Sequence, residues 1–238
     1  MEIKISKDLK NTQMYKALVE FDEEFGKLNN KKPMSLNVIG GFALIVPGIR
    51  KGDYTDIDYA GKDFPEKVKE LVDKIGMKYN LGRGFINNDC LVTGTTLEDM
   101  EYATGPLTFS HGFDLKYITV NILIPKDVLK MKMIAIDTSY MGMDLGGEFT
   151  RLKDFGDIAA ICEEEHLNIE DVVNMTKDYI LCPEVYTLLN YYLQTKDDYL
   201  FESEGKLKKI LTNSNYIYDT YDLDEDQDYS FEEIENYV

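Results

Sequence analysis

The chain has 238 residues, with 44 acidic and 26 basic side chains and a formal net charge of −18. This length is enough to bury a hydrophobic core, in one domain or in two small ones. The negative charge repels polyanions at long range, which argues against broad coating of a nucleic acid. No run of about 18 apolar residues occurs, so the sequence predicts no membrane span.

The three cysteines, Cys90, Cys162 and Cys182, form neither a paired motif nor a Cys/His cluster of the kind that binds zinc. We therefore expect buried thiols in a reducing compartment. The first residues, "MEIKISKDLKNTQMYKAL", lack the apolar segment of a signal peptide. These features together predict a cytoplasmic location.

The first half of the chain alternates helical and strand patterns. Segment 81–113 is rich in Gly, Asn and Thr, so we expect loops and short strands there. Apolar residues at helical spacing predict helices at 7–29 and 64–79, with a short helix in "FALIVPGI". Alternating or β-branched residues predict strands at 35–41, 54–60 and 115–125.

The second half is helical in pattern, apart from a loop in "MGMDLGGEFT" at 141–150. The predicted fold class is therefore α/β (α+β): a core with a mixed sheet over 1–124, a helical region over 125–213 that completes a cleft, and an acidic tail over 214–238. The predicted helices of the second region are 126–138, 151–165, 168–180, 183–195 and 199–212.

Two aspartates in "YTDIDYA" have the spacing of a metal site. Asp56 and Asp58 are two residues apart, so on a strand their side chains project from the same face. Like charges this close raise each other's pKa unless a cation lies between them. Paired carboxylates suit Mg²⁺ or Mn²⁺, whose coordination is usually completed by water and substrate phosphates. The alternative interpretation is a solvated strand edge.

A glycine pair precedes the short helix. Gly40 and Gly41 lie between a predicted strand and the start of "FALIVPGI". Exposed backbone amides and a helix dipole at such a turn favour a phosphate, and glycine leaves room for it to approach. The sequence therefore predicts a phosphate-binding turn.

The pattern "VIGGFA … TDIDY" resembles the signature of the DNA polymerase β-like nucleotidyltransferase superfamily. A later segment, "PKDVLKMKMIAIDTSY … RLKDFGD", looks like the distal half of AbiEii-type toxins and related nucleotidyltransferase-like proteins. Lys132 and Ala135 match a Lys-x-x-Ala helix, and residues 151–157 match an Arg-x-(Arg/Lys)-Asp-x-x-Asp helix start.

The resemblance implies a nucleotidyltransferase-type sheet with helices and a specific set of roles. Asp56 and Asp58 would hold Mg²⁺ or Mn²⁺ on the phosphates of an NTP, and Lys132 would contact those phosphates. Asp154 would act as acid or base near the acceptor, whereas Asp157 would be structural. Gly40, Gly41 and Arg151 complete the predicted phosphate-binding set. The alternative for Lys132, Arg151 and Asp154 is a salt-bridge cluster between helices.

The implied reaction transfers a nucleoside monophosphate from an NTP to a hydroxyl group, and pyrophosphate leaves. The toxin relatives suggest a tRNA 3′ end as acceptor and a cognate antitoxin as partner; a protein hydroxyl or a small molecule is also possible. Asn121 stands where many members of the superfamily carry a third carboxylate. An inactive nucleotide-binding module therefore remains open, as does an acidic interaction protein whose tail binds a basic partner.

The tail has a spacing similar to that of an EF-hand loop. Four aspartates occupy loop positions 1, 3, 5 and 7 and a glutamate occupies position 12, which would suit Ca²⁺. Gln227 stands where the sharp turn needs glycine, so we favour a solvated acidic tail over a Ca²⁺ site. The candidate Ca²⁺ ligands are Asp222, Asp224, Asp226, Asp228 and Glu233.

Overall fold

The computed structural model describes residues 5–50, 56–88, 97–144, 149, 151–200 and 204–213. By packing, the chain divides between Cys182 and Pro183 into two compact units. The architecture is mixed α/β with small sheets, as the sequence predicts. The predicted division of the chain at residues 125 and 214 stays a prediction.

The larger sheet has three strands in the order β1-β5-β4, where β1 is Met34–Val38, β4 is Phe109–Asp114 and β5 is Ile118–Leu123. Strand β1 runs parallel to β5, whereas β4 and β5 are antiparallel. A second pair, β2 (Ile57–Asp58) and β3 (Ile86–Asn87), is parallel. An antiparallel bridge between Val38 and Tyr59 joins the end of β1 to the end of β2.

Nine α-helices lie in the described part of the chain. Their ends follow local signals: Thr12 accepts a hydrogen bond from the amide of Tyr15 at the start of α1, and Asn168 and Asp171 form a capping box at the start of α7. The helices are α1 (Gln13–Leu28), α2 (Phe42–Ile45), α3 (Glu66–Lys78), α4 (Leu97–Thr104), α5 (Pro125–Asp144), α6 (Leu152–Glu165), α7 (Ile169–Thr176), α8 (Glu184–Thr195) and α9 (Glu204–Asn213).

The core of the first unit forms on one face of the strands. Leu36 and Val38 of β1 are buried, and Phe21 of α1 meets Phe85 edge-to-face at 6.4 Å between ring centroids. Each large apolar side chain buried in this way contributes about 1.5–3 kcal/mol to folding. Because side chains alternate along a strand, this packing directs Asn37 of β1 to the opposite face.

Four sequence-based predictions of elements were wrong in part. Helix α1 begins at Gln13 rather than near residue 7, because a short 3₁₀ turn at Leu9–Asn11 comes first. Segment 81–113 contains helix α4, where only loops and short strands were expected. Helix α5 continues to Asp144, into the predicted loop. Helix α7 ends at Thr176 rather than at residue 180.

Several other predictions concern the surroundings of these elements. Cys162 is buried as expected, but Cys182 is partly exposed, and Cys90 lies outside the described residues. The proposed Ca²⁺ positions of the tail also lie outside them. No helix in the described ranges combines the length and the apolar character needed to cross a membrane.

Candidate functional site

Strand β2 places its two aspartates away from the core. Ile57 and Tyr59 are buried, and Tyr59 is the bridge partner of Val38 on the core face. Asp56 and Asp58 therefore project from the opposite face, with Asp56 exposed and Asp58 partly buried. The alternation inferred from the sequence holds in the structure.

Gly40 lies directly against the Asp58 carboxylate. Its φ is +62°, a conformation that favours glycine, and a Cβ atom there would lie 2.7 Å from Oδ2 of Asp58. The amide of Ile39 also donates to the backbone oxygen of Asp58 at 2.9 Å. The positive φ favours glycine at position 40, and the missing Cβ atom leaves room for the Asp58 carboxylate. Gly41 has an ordinary φ of −65°, and α2 has only four residues, so little helix dipole supports the turn.

Electrostatics single out Asp58. Burial and, next, the charge of Asp56 raise the pKa of Asp58 to about 6. The positive charges of Lys153, Lys132 and Arg151, in that order, act in the opposite direction. The two aspartates therefore share a site whose negative charge is only partly neutralised, and cations from α5 and from the start of α6 lie within electrostatic range.

Lys132 of α5 is the centre of a buried ion-pair cluster. Its Nζ lies 2.6 Å from Oδ1 of Asp154 and 2.5 Å from Oδ2 of Asp157, the latter an ionic contact without hydrogen-bond geometry. All three side chains are buried. Arg50, which follows α2, forms an ion pair with Asp157 on its other oxygen. Lys132 and Arg50 supply two positive charges to this cluster, and Asp154 and Asp157 supply two negative charges. The ion pairs connect α5, and the segment after α2, to α6.

The structure thus joins the predicted residues Lys132, Arg151 and Asp154 by ion pairs, and the charges of Lys132 and Arg151 act on Asp58. Lys132 and Asp154 bind each other, which favours the salt-bridge interpretation of these two residues over contacts with substrate. The predicted structural role of Asp157 agrees with its two ion pairs. Their catalytic roles stay predictions.

Lys153 was part of the quoted motif but received no role from the sequence. It is exposed, and its ammonium forms no ion pair or hydrogen bond with the described residues. Among the cations near Asp58 it has the largest effect on that carboxylate. Arg151 differs from Lys153, because its Nη1 forms an ion pair with Oδ2 of Asp154 at 3.8 Å. In the sequence, the only indication of a role for Lys153 is its position directly before Asp154, in the motif that begins at Arg151.

Asn121 of β5 has a partner in the neighbouring strand. Its Nδ2 donates to Oδ1 of Asn37 at 3.0 Å, and the two residues are paired in the register of β1 and β5. Asn37 lies on the same face as Asp58, so a neutral amide pair continues from the aspartates across the sheet. The position expected for a third carboxylate is thus neutral and hydrogen-bonded.

The donor set suits a metal that is completed by a substrate. Among the described residues no group of three or more Asp, Glu, His or Cys side chains could hold a metal ion. Asp56 and Asp58 supply carboxylate oxygens, and the pKa of Asp58 is raised by its burial and then by the charge of Asp56. Two carboxylates with water and phosphate oxygens fit Mg²⁺, which rarely uses an all-protein cage.

Comparison with protein-family models, with curated proteins and with solved structures finds no match to this chain.

Proposed function

We propose that the chain is a metal-dependent nucleotidyltransferase that moves a nucleoside monophosphate from an NTP to a hydroxyl acceptor. The observation that carries the proposal is the Asp56–Asp58 pair, of which Asp58 lies against Gly40 and is within electrostatic range of Lys153 and Arg151. The sequence motif resembles the nucleotidyltransferase signature at these same residues. Two carboxylates with an exposed lysine nearby, Lys153, suit a metal–triphosphate complex.

The residues of the chain have distinct tasks in this reaction. Asp56 and Asp58 would hold Mg²⁺ or Mn²⁺, which would supply Lewis-acid stabilisation of phosphate charge. Gly40 leaves the space that the Asp58 carboxylate occupies, because a Cβ atom there would lie 2.7 Å from Oδ2. The acceptor hydroxyl releases its proton to solvent and its oxygen forms a bond to the α-phosphorus, while the bond from that phosphorus to the bridging oxygen of the β-phosphate breaks and pyrophosphate leaves.

Nucleotidyl transfer can be recognised by which phosphate of a labelled NTP reaches the acceptor. The protein would be incubated with Mg²⁺ and each NTP, labelled in parallel at the α- or the γ-phosphate, with total RNA, protein or small-molecule extract as acceptor. We expect the α-label, and not the γ-label, to appear in one acceptor fraction. The fraction that takes the label identifies the acceptor class, including the RNA 3′ end suggested by the toxin-like motif.

Matched variants guard against a contaminating enzyme. Asp56→Asn and Asp58→Asn should abolish transfer, while Asp63→Asn, which removes one negative charge from an exposed position, should retain it. Equal transfer by the wild type and Asp58→Asn would contradict the proposal.

A second candidate is a nucleotide-binding module without turnover, and the Asn121–Asn37 amide pair favours it. A neutral amide is a poor ligand for a metal that activates an attacking hydroxyl. This candidate predicts that Mg²⁺ with NTP raises the melting temperature, that EDTA removes the effect, and that no α-label is transferred to any acceptor.

A further inference from the structure

Lys132, to which the motif assigns phosphate binding, already binds two aspartates. The Lys132 ammonium contacts two buried carboxylates, on Asp154 at 2.6 Å and on Asp157 at 2.5 Å. If Lys132 turned towards a phosphate, it would leave both carboxylates with less compensation in a buried setting, which is strongly unfavourable. Its contacts therefore hold α5 to α6 and leave it little capacity for a ligand.

The start of α6 is fixed beside the aspartate pair by contacts from two directions. From α5, Lys132 binds Asp154. Helix α2, which follows the glycine turn, packs on α5. Arg50, a few residues after α2, binds Asp157, which lies about one turn beyond Asp154 in α6. These ion pairs fix the start of α6, where the charges of Lys153 and Arg151 act on Asp58.

Two cations at this anchored position differ in their partners. The Arg151 guanidinium forms an ion pair with Asp154 at 3.8 Å, and Lys132 binds the same aspartate. Lys153 is exposed and makes no ion pair with the described residues. The ammonium of Lys153 therefore has no carboxylate partner in the described part of the chain, and its positive charge acts on Asp58.

We propose that Lys153, assisted by Arg151, is the residue that binds the phosphates of the metal-bound triphosphate, and that Lys132 is not. This inference rests on the proposed function, because it needs a metal–triphosphate complex at Asp56 and Asp58. An exposed ammonium without a competing carboxylate binds phosphate oxygens with little loss of existing interactions. The ligand class is a polyphosphate, and the recognition is independent of the base.

The test measures dissociation constants by calorimetry with Mg²⁺ and two probes, ATP and inorganic tripolyphosphate. Lys153→Ala should weaken both probes by about ten- to a hundredfold, because one charge-assisted hydrogen bond is lost. Lys153→Arg should restore most of the affinity. The matched control is Lys67→Ala, which removes an exposed lysine from α3 and should leave both constants unchanged.

The outcomes separate this inference from the proposed function. If the wild type binds both probes and Lys153→Ala binds them equally well, the assignment of Lys153 is wrong and the metal site at the aspartates stands. A loss for ATP but not for tripolyphosphate would also overturn it, because Lys153 would then contact the nucleoside. If the wild type binds neither probe, the proposed function and this inference fall together.

Discussion

Gly40 shows how one residue without a side chain can fix the chemistry of another. Its positive φ favours glycine, and its missing Cβ leaves the space that the Asp58 carboxylate occupies. From the sequence, Gly40 was predicted to leave room for a phosphate to approach the turn. The structure gives it a second task that no spacing rule reveals, because the contact depends on how β2 meets the end of β1.

Gly40→Ala should damage the site more than it damages the fold. The alanine Cβ would lie 2.7 Å from Oδ2 of Asp58, so the carboxylate must move, and Mg²⁺-dependent ATP binding should weaken at least tenfold. The backbone strain should cost about 1–2 kcal/mol of unfolding free energy. Urea unfolding and calorimetry measure the two effects separately.

Gly84→Ala is the matched control for that experiment. Gly84 has a φ of +61°, nearly that of Gly40, but no atom lies within 4 Å of the position of its Cβ. It should lose a similar amount of stability and bind Mg²⁺ and ATP normally. If both variants lose binding to the same extent, strain alone explains the effect and the contact with Asp58 is irrelevant.

At the scale of elements, the contact between α5 and α6 depends on charges as well as on apolar packing. Lys132 faces Asp154 and Asp157 at once, and all three are buried. Such clusters contribute little net stability when complete, but the loss of one member leaves a buried charge uncompensated. We therefore expect this contact to tolerate substitution poorly.

Asp154→Asn should lower the stability of the protein and leave turnover nearly intact. The buried Lys132 ammonium loses one carboxylate but keeps Asp157, so we expect a loss of about 2–4 kcal/mol in urea unfolding. Below the melting temperature, kcat for transfer of the α-label should change by less than about threefold, because Asp154 binds Lys132 rather than an acceptor.

The double variant Lys132→Met with Asp154→Asn is the control for the Asp154 experiment. If the two residues form one unit, its loss of stability should be smaller than the sum of the two single losses. A collapse of kcat in Asp154→Asn with unchanged stability and unchanged ATP affinity would instead make Asp154 the acid or base of the reaction.

Elements with a strong internal pattern could be predicted from the sequence, and elements that depend on a partner could not. Helix α3 has apolar residues at helical spacing, and β5 is rich in β-branched residues, so both were predicted close to their positions. Strand β4, "FSHGFD", forms because it pairs with β5, and its Gly112 packs where a Cβ would lie 2.9 Å from the oxygen of Val120. Such dependence on tertiary contacts leaves little local signal.

The same distinction applies to the site. The shared face of Asp56 and Asp58 follows from the two-residue period of a strand and was correctly predicted. The partner of Lys132 was not, because it is decided by how α5 packs on α6, and the sequence left phosphate contact and salt bridge open. No role was predicted for Lys153 for the same reason, because only the structure shows that it lacks an ion-pair partner among the described residues.

At the scale of the whole molecule, the net charge of −18 sets the conditions under which the site operates. A strongly acidic protein repels a free NTP and attracts divalent cations at many surface positions. A rise in melting temperature with Mg²⁺ alone is therefore no evidence for a specific site. Only the difference between the wild type and a site variant, at equal ionic strength, isolates the contribution of Asp56 and Asp58.

The pH dependence of stability can separate the effect of Asp58 from that of the other acidic residues, if a site variant is compared with the wild type. Many of the 44 acidic residues titrate together below about pH 6, so the stability of the wild type alone cannot be assigned to one group. The folded pKa of Asp58 is raised from 3.8 to about 6. Between these values the folded state binds more protons than the unfolded state, so this contribution to stability is complete below pH 3.8 and is lost as pH rises through 6.

The stability of Asp58→Asn relative to the wild type should therefore increase with pH in EDTA. Between pH 5 and 7.5 the gain should be about 1–2 kcal/mol in urea unfolding, because the wild type loses a favourable protonated carboxyl that the amide replaces at every pH. Asp63→Asn removes an equal charge from an exposed position and should show no such trend. With Mg²⁺ and ATP the gain of Asp58→Asn should shrink or reverse, because the ligands stabilise the ionised wild type only. A pH-independent difference in EDTA would mean that Asp58 is not held in the repulsive, partly buried setting on which the metal site depends.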